Sequence, residues 1–201
     1  ILWMPTFRQS GFLGVSDAEK TEGTGLPILS KKEDMERVNE LLREKNALLL
    51  AKIHPAQDLD SIDLTAYSNI RVVTNGQMQE SQCDLYALLG QADGLITDYS
   101  SVYFDYLLLN RPIGFTVDDM EEYMKNRGFV VDDPRPLMPG QFLNTPEDFC
   151  GFLSDLLEGR DPYREERLRV KELTNKYDDG KDALRALAIA GITFEEKEGT
   201  K

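Results

Sequence analysis

Short apolar runs alternate along this chain with stretches in which apolar residues recur every three or four positions, the patterns of buried strands and of amphipathic helices. The first run, Ile1 to Phe7, predicts a short buried strand ending at Arg8. Ala47-Leu48-Leu49-Leu50-Ala51-Lys52-Ile53 is nearly continuous, as expected for a strand covered on both faces of a parallel sheet. It stops at His54-Pro55, where the residue before a proline is held extended. Ile70 to Val73, Leu95-Ile96 and Ile113-Gly114-Phe115 predict three more brief strands.

Helical spacing fills the intervals. Met35, Val38, Leu41 and Leu42 mark one face of a helix that stops near Asn46, and Glu33, Asp34 and Glu36 sit near its start, where negative charge complements the helix dipole. A second helix begins near Asp84 and carries Leu85, Leu88 and Leu89 inward; a third carries Val102, Tyr103, Tyr106 and Leu107 and ends near Asn110-Arg111-Pro112. Three helices close the chain, at Pro146 to Leu157, Pro162 to Tyr177 and Lys181 to about Ile189, before a frayed tail from Glu195 to Lys201. Gln9 to Lys32, rich in Gly, Ser and Thr, reads as a long connection of the kind that is functional or mobile. Thr116 to Thr145 reads as a loop over one sheet edge, with a helical turn from Glu121 to Lys125.

Strands alternating with helices predict an α/β fold: a Rossmann-like parallel sheet with flanking helices. Such sheets bind ligands outside the carboxyl ends of the strands, at the point where the strand order reverses. Arg8, His54 and Thr97 to Ser101 all fall at such ends. From Gly94 to Asn110 a strand turns through Thr97-Asp98-Tyr99 into Ser100-Ser101 and a helix. Backbone N–H groups and two hydroxyls at a helix start suit a phosphate; the competing reading is that Asp98 or Ser100 merely caps the helix.

Composition narrows the picture. At 201 residues the chain can bury one proper core, with the helices at its end as part of the same unit or an appendage; the expected division is one domain over residues 1–190 and a tail over 191–201. A net charge of −13 argues against a nucleic-acid binder, which shows a basic face, yet leaves room for an anionic ligand in a local pocket. Cys83 and Cys150 lie far apart and form no metal or redox motif. Asp118, Asp119, Glu121 and Glu122 offer carboxylates for a metal but no His or Cys beside them, and a solvated charge run is the simpler reading. The apolar start, Ile1-Leu2-Trp3-Met4, is too short for a signal segment and suggests a chain cut from a longer protein. No run approaches the roughly 20 apolar residues that cross a bilayer.

Several groups then carry a family resemblance: Met4-Pro5-Thr6-Phe7-Arg8, Lys52-Ile53-His54-Pro55, Asp93 through Tyr106, Arg111-Pro112-Ile113, Arg127-Gly128-Phe129, Pro139-Gly140 and Asp179-Gly180-Lys181. In this order, over Ile1 to Ile189, they resemble the C-terminal half of the CDP-glycerol (polyol phosphate) glycerophosphotransferases, the teichoic acid polymerase and primase family. The resemblance implies the second, nucleotide-binding domain of a GT-B type fold, in which two Rossmann-like domains face a cleft, with the N-terminal acceptor domain absent from the chain. It implies an enzyme that transfers a glycerol or ribitol phosphate from a CDP-activated donor to a hydroxyl of a growing polymer or lipid-linked primer, releasing CMP. The partners are then the CDP-polyol donor, a polyanionic or lipid-linked acceptor and the missing domain, with no nucleic acid, no metal and no cofactor besides the donor.

By the same resemblance His54 sits against the pyrophosphate as the catalytic residue. Thr97, Asp98, Ser100 and Ser101 form the phosphate cradle, and Arg8 and Arg127 add charge contacts. Asp105 braces the loop, and Asp179-Gly180-Lys181 is either a cleft contact or a helix stop and new start. Gln9 stands where relatives often have an acid. Relatives place a histidine base in the first domain, so the chain alone is expected to bind CDP-polyol or CMP and to turn over poorly. The whole protein is expected in the cytoplasm, peripheral on the inner face of the membrane. The alternatives are a non-catalytic nucleotide-binding module and a GT-B enzyme using another nucleotide-activated donor.

Overall fold

The computed structural model describes residues 1–6, 26–53 and 64–192, together with the backbone of Gln9–Ser10 and Val15–Ser16. In chain order its elements begin with β1 (Leu2–Met4), β2 (Gln9–Ser10), β3 (Val15–Ser16), α1 (Lys32–Glu44), β4 (Leu49–Lys52) and β5 (Ile70–Val73). They continue with α2 (Asn75–Glu80), α3 (Leu85–Gln91), β6 (Leu95–Thr97), α4 (Val102–Tyr106), β7 (Ile113–Thr116) and α5 (Met120–Asn126). The last are β8 (Gln141–Leu143), α6 (Pro146–Leu157), α7 (Arg164–Thr174) and α8 (Asp182–Ile189). β2 and β3 pair with each other, antiparallel. The other six strands form one parallel sheet in the order β5-β4-β1-β6-β7-β8. The chain starts in the middle, winds out through β4 and β5, returns to β6 and winds the other way. This is the doubly wound order, and its switch point lies between β1 and β6.

Because strand side chains alternate, consecutive residues of β1 feed opposite layers. Trp3, with Ala51 and Ile96, packs on the side of α1 and α6 against Met35, Val38, Leu42, Phe149 and Leu153. The Trp3 and Phe149 rings meet edge to face, 5.0 Å apart. Leu2, with Leu95, Ile113 and Phe115, packs on the other side against Leu89, Tyr103, Tyr106 and Val170. Each fully buried Leu or Phe in these layers contributes about 1.5–3 kcal/mol relative to exposure. α6 lies close on its layer: a Cβ on Gly94 would come within 2.5 Å of a Leu156 methyl, and one on Gly114 within 3.3 Å of the Phe152 ring. Those glycines set the helix-to-sheet distance.

Local chemistry starts and stops the helices. α6 opens on a capping box in which Thr145 and Asp148 satisfy each other's backbone N–H, with Pro146 in its first turn. α3 is capped by Asp84, whose carboxylate accepts from Ala87 N at 2.7 Å. After α4 the chain tightens into a 3-10 turn over Leu107–Leu109 and ends at Asn110 in the left-handed region, φ 48°. Arg167, on α7 and 1% exposed, ties α7 to that corner: it donates to both Asp161 oxygens, at 2.9 and 2.5 Å, and to the Asn110 carbonyl at 3.2 Å.

The parallel sheet, its strands and α1 and α6 agree with the sequence expectation; β1 and β4 are one to three residues shorter at their ends, β5 has the expected bounds, and β6 and β7 each run one residue further. Three elements differ. The helix expected to begin near Asp84 is α3, and an additional one, α2, precedes it because Thr74 and Gln77 form a capping box that starts it. The expected loop from 116 to 145 holds a sixth sheet strand, β8, three residues long on the sheet edge. The helix expected to reach Asn110 is α4, of five residues, plus the 3-10 turn. Within the long connection after β1, the backbones of β2 and β3 pair antiparallel.

Candidate functional site

The carboxyl edge of the sheet holds a cavity of about 390 Å³ over the switch point. The ends of four strands and the turns that follow them wall it. Met4, Pro5 and Thr6 come from the end of β1, Lys52 and Ile53 from β4, Tyr99 and Ser100 from the turn after β6, and Asn75 from the start of α2 after β5. Met78, Leu85 and Tyr123, from α2, α3 and α5, close its sides.

Hydrogen bonds hold the two strand ends at the switch point together. Asp98, fully buried, accepts from the Thr6 backbone N–H at 2.7 Å and from the Thr6 hydroxyl. Thr97, also fully buried, donates its hydroxyl to the Met4 carbonyl at 2.9 Å, and Thr116 on β7 donates to the Thr97 carbonyl at 3.2 Å. The side chains of Thr97 and Asp98, expected among the substrate contacts, are therefore turned into the scaffold, where they hold the Thr6 and Ser100 turns in register. A carboxylate with two donors from one residue is a strong tether.

The two serines behave differently. Ser100 is half-buried and lines the cavity; its hydroxyl lies 3.5 Å from Val102 N, at the limit of a hydrogen bond. Ser101 is exposed at the start of α4 and makes no side-chain capping bond. With Asp98 engaged by Thr6, capping falls to Ser100 alone, through its long bond from Val102 N. α4 is itself too short to develop a large dipole, so any anion preference here rests on hydroxyls, turn amides and nearby cations rather than on a long helix.

The chief cation among the described residues of the wall is Lys52. It is the last residue of β4, 7% exposed, and its ammonium makes one hydrogen bond, to the Ile53 carbonyl at 3.2 Å. Burial holds that ammonium below the ordinary lysine range. The sequence reading did not single it out as a site residue, although a lysine inside a strand otherwise apolar on both faces is a signal in its own right.

Beside the cavity, Tyr99, Tyr123 and Phe129 form an aromatic cluster, with centroids 4.2 Å apart for the two tyrosines and 5.4 and 5.2 Å from each to Phe129. Tyr99 donates its hydroxyl to Asp119 at 2.7 Å. Arg127, at the end of α5, lies over Tyr123 with its guanidinium 5.5 Å from the ring centroid. Arg127 thus stacks on Tyr123, which itself lines the cavity.

Among the described residues no three His, Cys, Asp or Glu side chains converge as a metal site. The Tyr86 hydroxyl lies 3.5 Å from Asp105. Asp179 accepts from Lys181 N at 3.1 Å and from both Arg185 guanidinium nitrogens at 2.8 and 2.6 Å, which holds its carboxyl down at about 2. With Gly180 at φ 70°, this Asp-Gly-Lys is a chain reversal that starts α8. Arg8 and His54 lie outside the described residues. No helix among the described residues is long and apolar enough to cross a membrane.

Known proteins resemble this chain over nearly its whole length. The profile of the family described as CDP-Glycerol:Poly(glycerophosphate) glycerophosphotransferase matches residues 1–189. The teichoic acid glycerol-phosphate primase of Bacillus subtilis is 31% identical over 189 residues, 93% of this chain and 42% of that protein. The teichoic acid ribitol-phosphate primase of Bacillus spizizenii is 34% identical over 138 residues, 64% of this chain and 28% of that protein. The solved structure of the wall teichoic acid polymerase TagF aligns with a TM-score of 0.68 and 26% identity, over 94% of this chain and 42% of that one. The chain thus spans less than half the length of each of these proteins.

Proposed function

Because this chain belongs to the CDP-Glycerol:Poly(glycerophosphate) glycerophosphotransferase family, we propose that it is the donor-binding half of an enzyme that builds a teichoic-acid-like or capsular polymer. A glycerol- or ribitol-phosphate unit passes from a CDP-activated donor to a hydroxyl of the polymer or of its lipid-linked primer. The acceptor oxygen bonds to the phosphorus that carries the polyol. The bond from that phosphorus to the bridging oxygen breaks, CMP leaves with the electron pair, and the acceptor's proton passes to a base in the part of the protein that faces this domain. In phosphoryl transfer most of the catalysis is positioning and neutralisation of charge.

The observation that supports this reading is the cavity over the β1/β6 switch point, walled by Thr6, Ser100 and Lys52 and braced from behind by Asp98. In it the hydroxyls of Ser100 and Ser101 and the amides of their turn hold the diphosphate. His54 follows Ile53, a residue of the cavity wall, and donates to the diphosphate or to the departing CMP. Arg8 and Arg127 supply further positive charge at the rim. The donor is the only small molecule the site needs, and the acceptor reaches it from the inner face of the membrane.

Calorimetric titration of the chain with CDP-glycerol, CDP-ribitol and a UDP-sugar tests the assignment. Binding of a CDP-polyol with weak or no UDP-sugar binding is the expected result, and absence of cytidine-nucleotide binding ends the donor reading. Turnover by the chain alone is expected to be poor; robust transfer would contradict a divided active site.

A further inference from the structure

We propose that Lys52 is the cation that neutralises the diphosphate of the bound donor, and that its burial without a carboxylate partner among the described residues is kept for that ligand. The assignment rests on the donor reading above, and the test below separates the two.

The first observation is what Lys52 lacks. An ammonium has three donors, and here one of them reaches a neutral carbonyl, Ile53 O, while no carboxylate lies within ion-pair distance among the described residues. Burying a charge on those terms is costly. Lys45 and Lys171, by contrast, pair with Glu158 at 3.2 Å and Asp178 at 3.0 Å. In a chain of net charge −13 a carboxylate partner is easily supplied, so a lysine left without one marks a place where the countercharge comes from elsewhere.

The second observation is where it stands. Alternation puts Lys52 on the same face of β4 as Leu50, and β4 is the neighbour of β1, on the other side of β1 from the switch point. It lines the same cavity as Thr6 and Ser100. The rest of that wall offers hydroxyls, an amide, phenols and apolar side chains, and the nearby carboxylate of Asp98 is already engaged by Thr6. A lysine lining one cavity with hydroxyl groups, and without a carboxylate partner among the described residues, fits a ligand with several negative oxygens; a flexible point charge suits a diphosphate, whose charge is spread over both phosphates.

The test is calorimetry on the chain with CDP, cytidine and inorganic pyrophosphate, for wild type, Lys52→Met and Lys52→Arg, with thermal unfolding of each. Lys52→Met is expected to weaken CDP and pyrophosphate by about tenfold to a hundredfold, the range of a hydrogen bond to a charged group, and to leave cytidine binding within about twofold. The same variant should melt at or above wild type, since it removes an uncompensated buried charge. Lys52→Arg keeps the charge and should retain pyrophosphate binding within several-fold of wild type.

A Lys52→Met chain that binds CDP as wild type does, that loses cytidine equally, or that melts well below wild type overturns the assignment. Wild type that binds pyrophosphate through Lys52 but gains nothing from the cytidine of CDP sinks the donor reading and leaves Lys52 as a diphosphate site. Wild type that binds neither pyrophosphate nor CDP sinks both.

Discussion

The fold buries two cations among its described residues and treats them in opposite ways. Arg167, at the corner where α7 meets the end of the 3-10 turn, is 1% exposed and is met by both oxygens of Asp161 and by the Asn110 carbonyl. Lys52, at the carboxyl edge of the sheet, is 7% exposed and is met by one carbonyl. The first cation is neutralised by the chain itself and fixes a helix. The second has no carboxylate partner among the described residues, which is the ground for assigning it to the donor's diphosphate. A buried charge with its partner in place is part of the scaffold, whereas one without a partner is a cost that function has to justify.

The largest expected effect breaks the completed side of that comparison. Arg167→Ala strands Asp161 and empties the corner under α7. Truncating one member of a buried ion pair costs about 3–5 kcal/mol, and because Asp161 retains 24% exposure and can rehydrate, the low end applies. A loss of about 3 kcal/mol lowers the melting temperature of a chain this size by roughly 6–12 °C, read by differential scanning calorimetry. Lys52→Met, at a site of similar burial, should not lower it at all. Equal losses at the two positions would erase the distinction.

The next effect lies between scaffold and site. Asp98→Ala leaves the Thr6 N–H and hydroxyl without their acceptor and should cost about 2 kcal/mol, the penalty for orphaned buried donors, with a melting temperature lower by roughly 4–8 °C. Because Thr6 is part of the cavity wall, pyrophosphate affinity should fall with it, and Asp98→Asn, which keeps one acceptor oxygen, should recover part of both. An Asp98→Ala chain of unchanged stability but lost binding would move Asp98 from brace to ligand contact.

How far this was legible from the sequence follows from how each signal is carried. α1 and α6 are long and amphipathic, and the runs before His54 and through Leu95-Ile96 are apolar enough to be read as buried strands; the carboxyl end of the second run then places Tyr99 and Ser100 at the cavity. What a one-dimensional pattern does not carry is the direction of adjacent polar side chains. Thr97, Asp98 and Ser100 look alike in sequence, yet two are spent on Met4 and Thr6, ninety-odd positions away, and the third faces the cavity. Short elements escaped for the same reason. α2 has Met78 as its one apolar residue, so the capping pair Thr74 and Gln77 was its main cue, and β8 has three residues, too few for a period to show. Lys52 was hidden by its apolar neighbours, although its charge among them was the anomaly worth following.

The smallest expected effect is also the one that reads the state of Lys52 directly. Burial lowers the pKa of its ammonium in the native chain, while in the unfolded chain it titrates near the ordinary lysine value of about 10.4. Between those two values the unfolded chain binds the proton and the native chain does not, so stability rises with pH across that window. The slope contributed by one such group cannot exceed about 1.4 kcal/mol per pH unit. Below the lowered value the lysine is charged in both states and its cost is present in full; above the ordinary value it is neutral in both and the cost is gone. Tyr103 and Tyr106, whose burial pushes their phenols up, act in the opposite sense above about pH 10, where the unfolded chain loses their protons first. The difference between wild type and Lys52→Met cancels the tyrosines. By urea unfolding from pH 7 to 10, the variant's advantage should be largest at the low end and shrink toward the high end. Saturating pyrophosphate should reverse the ordering, because the anion favours the charged lysine and its hold on the native state weakens as that charge titrates away. A difference that is flat with pH in both conditions would mean that Lys52 is not the group the ligand senses.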